Sequence, residues 1–143
     1  HLGAVVTATT SSRNTEFVAN LGAATVVDYA STSLDSLPHD FDVVIDTVGA
    51  ASREQALSLA GDSGRVALVA AGLMDTVRAR GRVVAGPAAE RSEDMAELLG
   101  LLESGKLQAT TEVVGGLTAL PEAYRRVDSG RKVGNLVIQP NAA

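Results

Sequence analysis

Ser11, Ser12 and Arg13 stand together directly after the run GAVVTATT. Two small hydroxyls and a planar guanidinium in consecutive positions are hydrogen-bond donors, and the guanidinium fork fits the oxygens of a phosphate. No carboxylate accompanies them, so nothing within the triplet repels an anion. The same residues also suit a simpler role, in which the serines cap a following helix and the arginine stays solvated. Tyr29 follows the run ATVVD, and Thr47-Val48-Gly49 follow FDVVID. Val69-Ala70-Ala71 similarly follow RVAL. In an open α/β sheet, ligands collect beyond the carboxyl ends of the strands, so these four ends are where a site is expected.

Other chemistries have little to work with. The chain has no cysteine, which removes thiolate nucleophiles, disulfides and cysteine-ligated zinc from these 143 residues. His1 and His39 are the only histidines and build no metal-ligand spacing, so no metal site is expected. His39, beside Pro38 and Asp40 in a polar stretch, reads as a surface residue. Asp46 lies inside an apolar strand pattern and reads as a structural carboxylate held by backbone donors. Arg125, Arg126, Arg131 and Lys132 read as a solvated helix face and turn. No residue is assigned a catalytic role.

Composition narrows the class. Apolar residues make up 45% of the chain and charged residues 20%, a globular balance. A net charge of −5 without a basic run argues against nucleic acid as a partner. No apolar stretch approaches the ~20 residues of a spanning helix, so no membrane association is expected, and a cytoplasmic protein is. Only 3% of residues are aromatic, leaving Val, Leu, Ile and Ala to fill the core.

The elements that must position the strand ends follow from hydrophobic period. Gly3 to Thr9 reads as a strand buried on both faces, as in a parallel sheet. Asn14 to Leu21 reads as a helix capped by Asn14 or Ser12 and ended by Gly22. Strands are expected over Ala24–Asp28, Phe41–Thr47 and Arg65–Ala70, with a helix opened by Ser52 between the last two. After Gly72 the rhythm changes to a short strand at Arg82–Ala85. A helix then runs from Ser92, its expected N-cap, to Glu103, with Met95, Leu98, Leu99 and Leu102 as its apolar stripe. A strand at Thr110–Val114, a helix from Leu120-Pro121 to about Val127 and a strand at Leu136–Ile138 close the chain. Strand–helix alternation with short joints implies parallel crossovers. The chain begins at His1-Leu2-Gly3 with no Met and no lead-in, as an interior start would.

Taken in order, SSRNTEFVANLGAATVVDY, FDVVIDTVG, SGRVALV, SEDMAELLGLLESGKL and LPEAYRRVDSGRKVGNLVI resemble the medium-chain dehydrogenase/reductase superfamily, in its zinc-free, quinone-oxidoreductase-like branch. The resemblance covers essentially the whole chain and implies an α/β fold: a partial doubly wound (Rossmann) parallel sheet lacking its first strand and Gly-rich turn, plus C-terminal helix and strand elements. It implies a partial dinucleotide-binding domain over 1–90 and a segment over 91–143 returning to a substrate domain. In the order 3-2-1-4-5-6 the missing strand is central, so the strands from Gly3 and Phe41 flank a slot. That slot is expected to be filled by direct pairing of the two strands or by another polypeptide.

The resemblance also places Ser11, Ser12 and Arg13 at the adenosine ribose, where an acid would select NAD. Their hydroxyls and guanidinium favour NADP instead. By the same resemblance Tyr29 lies near that phosphate and the adenine, and Thr47, Val48 and Gly49 lie along the ribose and nicotinamide. Val69-Ala70-Ala71 approach the nicotinamide. The implied parent is an NADPH-dependent oxidoreductase acting by hydride transfer on a small-molecule quinone or α,β-unsaturated carbonyl, the chain alone being inactive. Gly134-Asn135 departs from the family's Gly-Lys, so no role passes to Asn135. Expected partners are a second copy, through Arg82–Ala85, or a missing N-terminal half. The alternative is a non-catalytic remnant that binds a partner or serves as a structural module.

Overall fold

Short β-branched runs between glycine-rich joints produce seven strands and five helices among the residues that the computed structural model describes, which are 1–87, 89 and 91–140. The chain divides into two compact units, His1–Ala89 and Glu90–Ala143. Glu90, the expected end of the first domain, lies outside the described residues, as do Ala88 and 141–143. None of the described helices is long and apolar enough to cross a membrane.

In the first unit, β1 (Thr7–Thr10) pairs in parallel with β2 (Thr25–Asp28) through the helix α1 (Thr15–Asn20). A second parallel sheet follows the order β3 (Val43–Asp46), β4 (Arg65–Leu68), β5 (Val83–Ala85). The helix α2 (Arg53–Leu59) joins β3 to β4, and α3 (Leu73–Arg78) joins β4 to β5. The second unit holds α4 (Ser92–Glu103) and a parallel pair, β6 (Thr111–Gly115) and β7 (Asn135–Ile138), connected through α5 (Leu120–Asp128). Every strand pair among the described residues is parallel, as the resemblance implied, and β1–β2 and β3–β4–β5 are separate sheets.

The core of the first unit lies where α2 packs on the three-stranded sheet. Ala56, Ala60, Val66, Leu68 and Val83 form one buried cluster. The helix starts where Ser52 accepts a hydrogen bond from the Gln55 N–H and the Gln55 side chain accepts one from the Ser52 N–H. That reciprocal cap satisfies two otherwise orphaned donors. Ser52→Ala is expected to lower the unfolding free energy by about 1 kcal/mol, measured by urea denaturation. At Gly64 the backbone is pressed against its neighbours. A side chain's first carbon there would meet the Ala60 carbonyl oxygen at 2.1 Å and that of Phe41 at 2.2 Å. Only glycine lets the turn into β4 pass that close.

Five departures from the sequence reading stand out. β1 and β3 do not pair with each other; each has one hydrogen-bonded strand neighbour among the described residues. The direct-pairing route to a filled slot is therefore excluded. Nor is the first strand buried on both faces: it starts only at Thr7, and none of its residues is buried. Val5 is 84% exposed, Val43 57% and Ile45 62%. The β-branched pattern reports how well a segment would tolerate burial, whereas burial itself needs a neighbour on each side. No side-chain cap for α1 comes from Asn14, its N-cap residue, or from Ser12, which lies inside the short 3-10 turn Ser12–Asn14; Ser11, which precedes that turn, supplies none either. Ser92 is the first residue of α4 and Arg91 its N-cap, so the serine lies one position too far into the helix to cap it. Finally, α3 was not anticipated; it is only six residues long.

In the second unit the basic cluster is partly neutralised. Arg126 on α5 donates to both carboxylate oxygens of Glu112 on β6, at 2.8 and 2.6 Å, and Arg125 pairs with Glu122 one turn away. The guanidinium of Arg126 holds the Glu112 carboxyl below its ordinary pKa. The Arg126–Glu112 pair ties α5 to β6, whereas the Arg125–Glu122 pair lies within α5 on its solvated face.

Candidate functional site

Parallel pairing decides which strand ends meet. Because Thr10 on β1 is registered with Asp28 on β2, Ser11–Arg13 and Tyr29 leave the same edge of one sheet. The Tyr29 N–H donates to the Thr10 carbonyl at 3.1 Å, fixing the two chain ends beside each other. Tyr29 is 60% exposed, and Ser12 and Arg13 are exposed too. Among the described residues, the Ser11 and Ser12 hydroxyls make no hydrogen bond and Arg13 makes no ion pair. These hydroxyls are thus not spent on capping, and the guanidinium is not neutralised. An acid does stand on the neighbouring strand. Asp28, however, directs Oδ1 to the Ala30 N–H at 2.9 Å, within its own turn.

The second strand-end group is built by Asp46. This carboxylate is 8% exposed and closes β3. Its Oδ1 accepts from the N–H groups of Val48 (3.0 Å), Gly49 (2.8 Å) and Ala50 (3.2 Å), and its Oδ2 from Ala51 (2.9 Å). Burial pushes the Asp46 pKa up, but the four N–H donors outweigh it and hold the carboxyl below its ordinary value. The loop from Thr47 to Ala51 is thereby wrapped around one anion. Gly49 takes φ +74°, in the left-handed region that favours glycine, and a side chain there would face the Ala70 carbonyl at 3.6 Å. The neighbouring end, Val69-Ala70-Ala71, is held alongside by a bond from the Val69 N–H to the Asp46 carbonyl at 2.8 Å.

Between these ends lies a cleft of about 320 Å³ whose lining includes Asp46, Gly49, Arg53, Ala70, Asp75 and Arg78. The structure thus brings Ser11, Ser12, Arg13 and Tyr29 together at one edge, and Thr47, Val48 and Gly49 beside Val69–Ala71 at another. No hydrogen bond among the described residues joins the two groups. Arg53 and Arg78 had no sequence signal, since an arginine on a short helix reads as solvated.

Zinc does not fit these donors. The chain has no cysteine, and the described residues contain no group of three or more His, Asp or Glu side chains placed to hold a metal ion. A dinucleotide fits better: unengaged hydroxyls and a guanidinium at one edge, and a left-handed glycine beside an open cleft at the other.

A family model described as zinc-binding dehydrogenase matches residues 21–138. The 2-methylene-furan-3-one reductase of Solanum lycopersicum is 31% identical over 137 residues, covering 94% of this chain and 33% of that protein. The chloroplastic NADPH-dependent alkenal/one oxidoreductase of Arabidopsis thaliana is 25% identical over 142 residues, with the same shares covered. The chain therefore spans about a third of the length of these two relatives. Among solved structures, the quinone oxidoreductase of Coxiella burnetii superposes with a TM-score of 0.79 at 23% identity, over 95% of this chain and 45% of that one.

Proposed function

The chain belongs to the zinc-binding dehydrogenase family, and on that footing we propose that it is part of an NADPH-dependent oxidoreductase that reduces quinones or α,β-unsaturated carbonyls. One observation carries this reading: two hydroxyls and a guanidinium, engaged by nothing among the described residues, wait where β1 ends. Both relatives named above are reductases or oxidoreductases of such compounds, and one is NADPH-dependent by name. Ser11, Ser12 and Arg13 would hold the 2′-phosphate, with Tyr29 beside it. Thr47, Val48 and Gly49 would lie along the ribose and nicotinamide. When bound, the dinucleotide supplies the hydride; this chain's residues bind and orient it, the Asp46 carboxylate fixing the loop that faces it.

The open edges of β1 and β3 would take a strand from a further segment of the polypeptide, and the outer edge of β5 a second copy. A non-catalytic module that binds a partner through those edges is the second reading, favoured by exposed Val43 and Ile45. Titrating the protein as its gene encodes it with NADPH and with NADH separates the two. About tenfold or tighter binding of NADPH is expected. Equal binding sinks the cofactor assignment, and no binding of either leaves the partner-binding reading standing.

A further inference from the structure

His39 is exposed, as its polar stretch implied, yet both of its ring nitrogens are engaged. Nε2 lies 3.3 Å from the Asp35 carbonyl, and Nδ1 lies 2.8 Å from Ser58 Oγ and 3.2 Å from the Ser58 carbonyl near the end of α2. A neutral imidazole has one N–H to give. The Ser58 carbonyl already accepts the Gly61 N–H at 3.2 Å, whereas the Asp35 carbonyl has no other donor among the described residues. The ring proton therefore belongs on Nε2. That leaves Nδ1 as the acceptor for the Ser58 hydroxyl, which has no other partner among the described residues. The orienting segment is itself held, because the Gln55 side chain on α2 donates to Asp35 Oδ1 at 2.8 Å. A hydroxyl on a base, with the base fixed by a third group, is the arrangement that activates a serine.

We propose that Ser58 is an acyl acceptor, its Oγ activated by His39 as general base toward the carbonyl of an uncharged ester. The two side chains line an open cleft of about 460 Å³ together with Glu54, Leu57, Asp62 and Arg82. That volume suits a small ligand. Glu54 and Asp62 disfavour an anionic acyl donor, which leaves a neutral ester as the class. Arg82, its Nη1 held by the carbonyls of Gly61 and Gly64 at 2.5 and 2.9 Å, sets a positive charge on the lining, the sign that a developing oxyanion requires. In the step, the Ser58 Oγ proton passes to His39 Nδ1 as Oγ bonds the ester carbonyl carbon. The ester's own C–O bond then breaks, the proton leaves with the departing alcohol, and the acyl group stays on Oγ. The Phe41 N–H donates to the Leu59 carbonyl at 3.1 Å, so this end of α2 stands beside the start of β3. The strand ends given to the dinucleotide are at the other end of β3, and the acyl site rests on none of them.

The probe is p-nitrophenyl acetate, applied to the protein as its gene encodes it with no dinucleotide present. Peptide mass spectrometry reads acetylation residue by residue, and absorbance reads p-nitrophenolate release. Ser58 is expected to be acetylated at least about tenfold faster than other exposed serines such as Ser31 and Ser36, a comparison within one protein that needs no variant. Where the acetyl group is hydrolysed as fast as it forms, continuous p-nitrophenolate release that Ser58→Ala cuts about tenfold supports the site equally. His39→Gln keeps a side chain able to hydrogen-bond but supplies no base, and is expected to slow either readout about tenfold or more. Acetylation of Ser58 no faster than that of the other serines, together with release unchanged by Ser58→Ala, overturns the proposal. So does reaction at the full rate in His39→Gln.

Discussion

Asp46→Asn is expected to lower the unfolding free energy by about 3 kcal/mol and to loosen the loop from Thr47 to Ala51. The wild-type carboxylate accepts four backbone N–H groups while 8% exposed. Asparagine keeps one acceptor oxygen and turns an NH₂ group toward N–H groups that need acceptors. The unpaired donors then pay their full desolvation cost, which exceeds the net worth of the bonds themselves. Urea denaturation reads the loss, and amide hydrogen exchange at Val48, Gly49 and Ala51 reads its location. A variant within about 0.5 kcal/mol of wild type would show that the loop is held by something other than the carboxylate.

The same substitution has a pH signature. The native pKa of Asp46 is depressed, so the unfolded chain binds more protons near the ordinary aspartate range. The stabilisation is complete above the unfolded-state pKa and is lost as pH falls through the lower native one. The stability difference between wild type and Asp46→Asn should therefore narrow as the medium is made acid and hold constant at neutral pH and above. A difference that does not change with acid contradicts ionisation as the source of the effect.

How far the sequence could be read depended on whether a feature was local. The ring of donors around Asp46 could be anticipated because an ionisable group inside FDVVIDT has to be satisfied, and the following residues supply the nearest N–H groups. The Ser52 cap and the parallel alternation were legible for the same reason, each being written within a few residues. The exposure of β1 and of Val43 and Ile45 was not, because burial depends on what lies across the sheet. The six-residue α3 escaped because Leu73, Met74 and Val77 give barely one turn of apolar period after Gly72. The triplet Ser11-Ser12-Arg13 is intermediate. Its donors could be read directly, whereas their freedom from capping needed the coordinates.

That freedom is why the largest change in cofactor preference is expected at Arg13. Arg13→Gln removes the only charge in the triplet and, under the proposed function, the fork facing the 2′-phosphate. Charge-assisted bonds of this type give about 10- to 100-fold in affinity, so kcat/KM with NADPH should fall by about that factor. NADH carries no phosphate there and should be affected by no more than about twofold. Arg13→Lys should lie between, since an ammonium keeps the charge but loses the fork. Because Arg13 is exposed, the preference for NADPH should also shrink as salt is raised, and only in the protein that retains a cation at this position. Steady-state rates with an alkenal substrate, taken with each cofactor at low and high ionic strength, measure all of this. An equal fall with both cofactors would make Arg13 a support for the turn between β1 and α1, and the basis for NADP over NAD would then have to lie elsewhere on the strand ends.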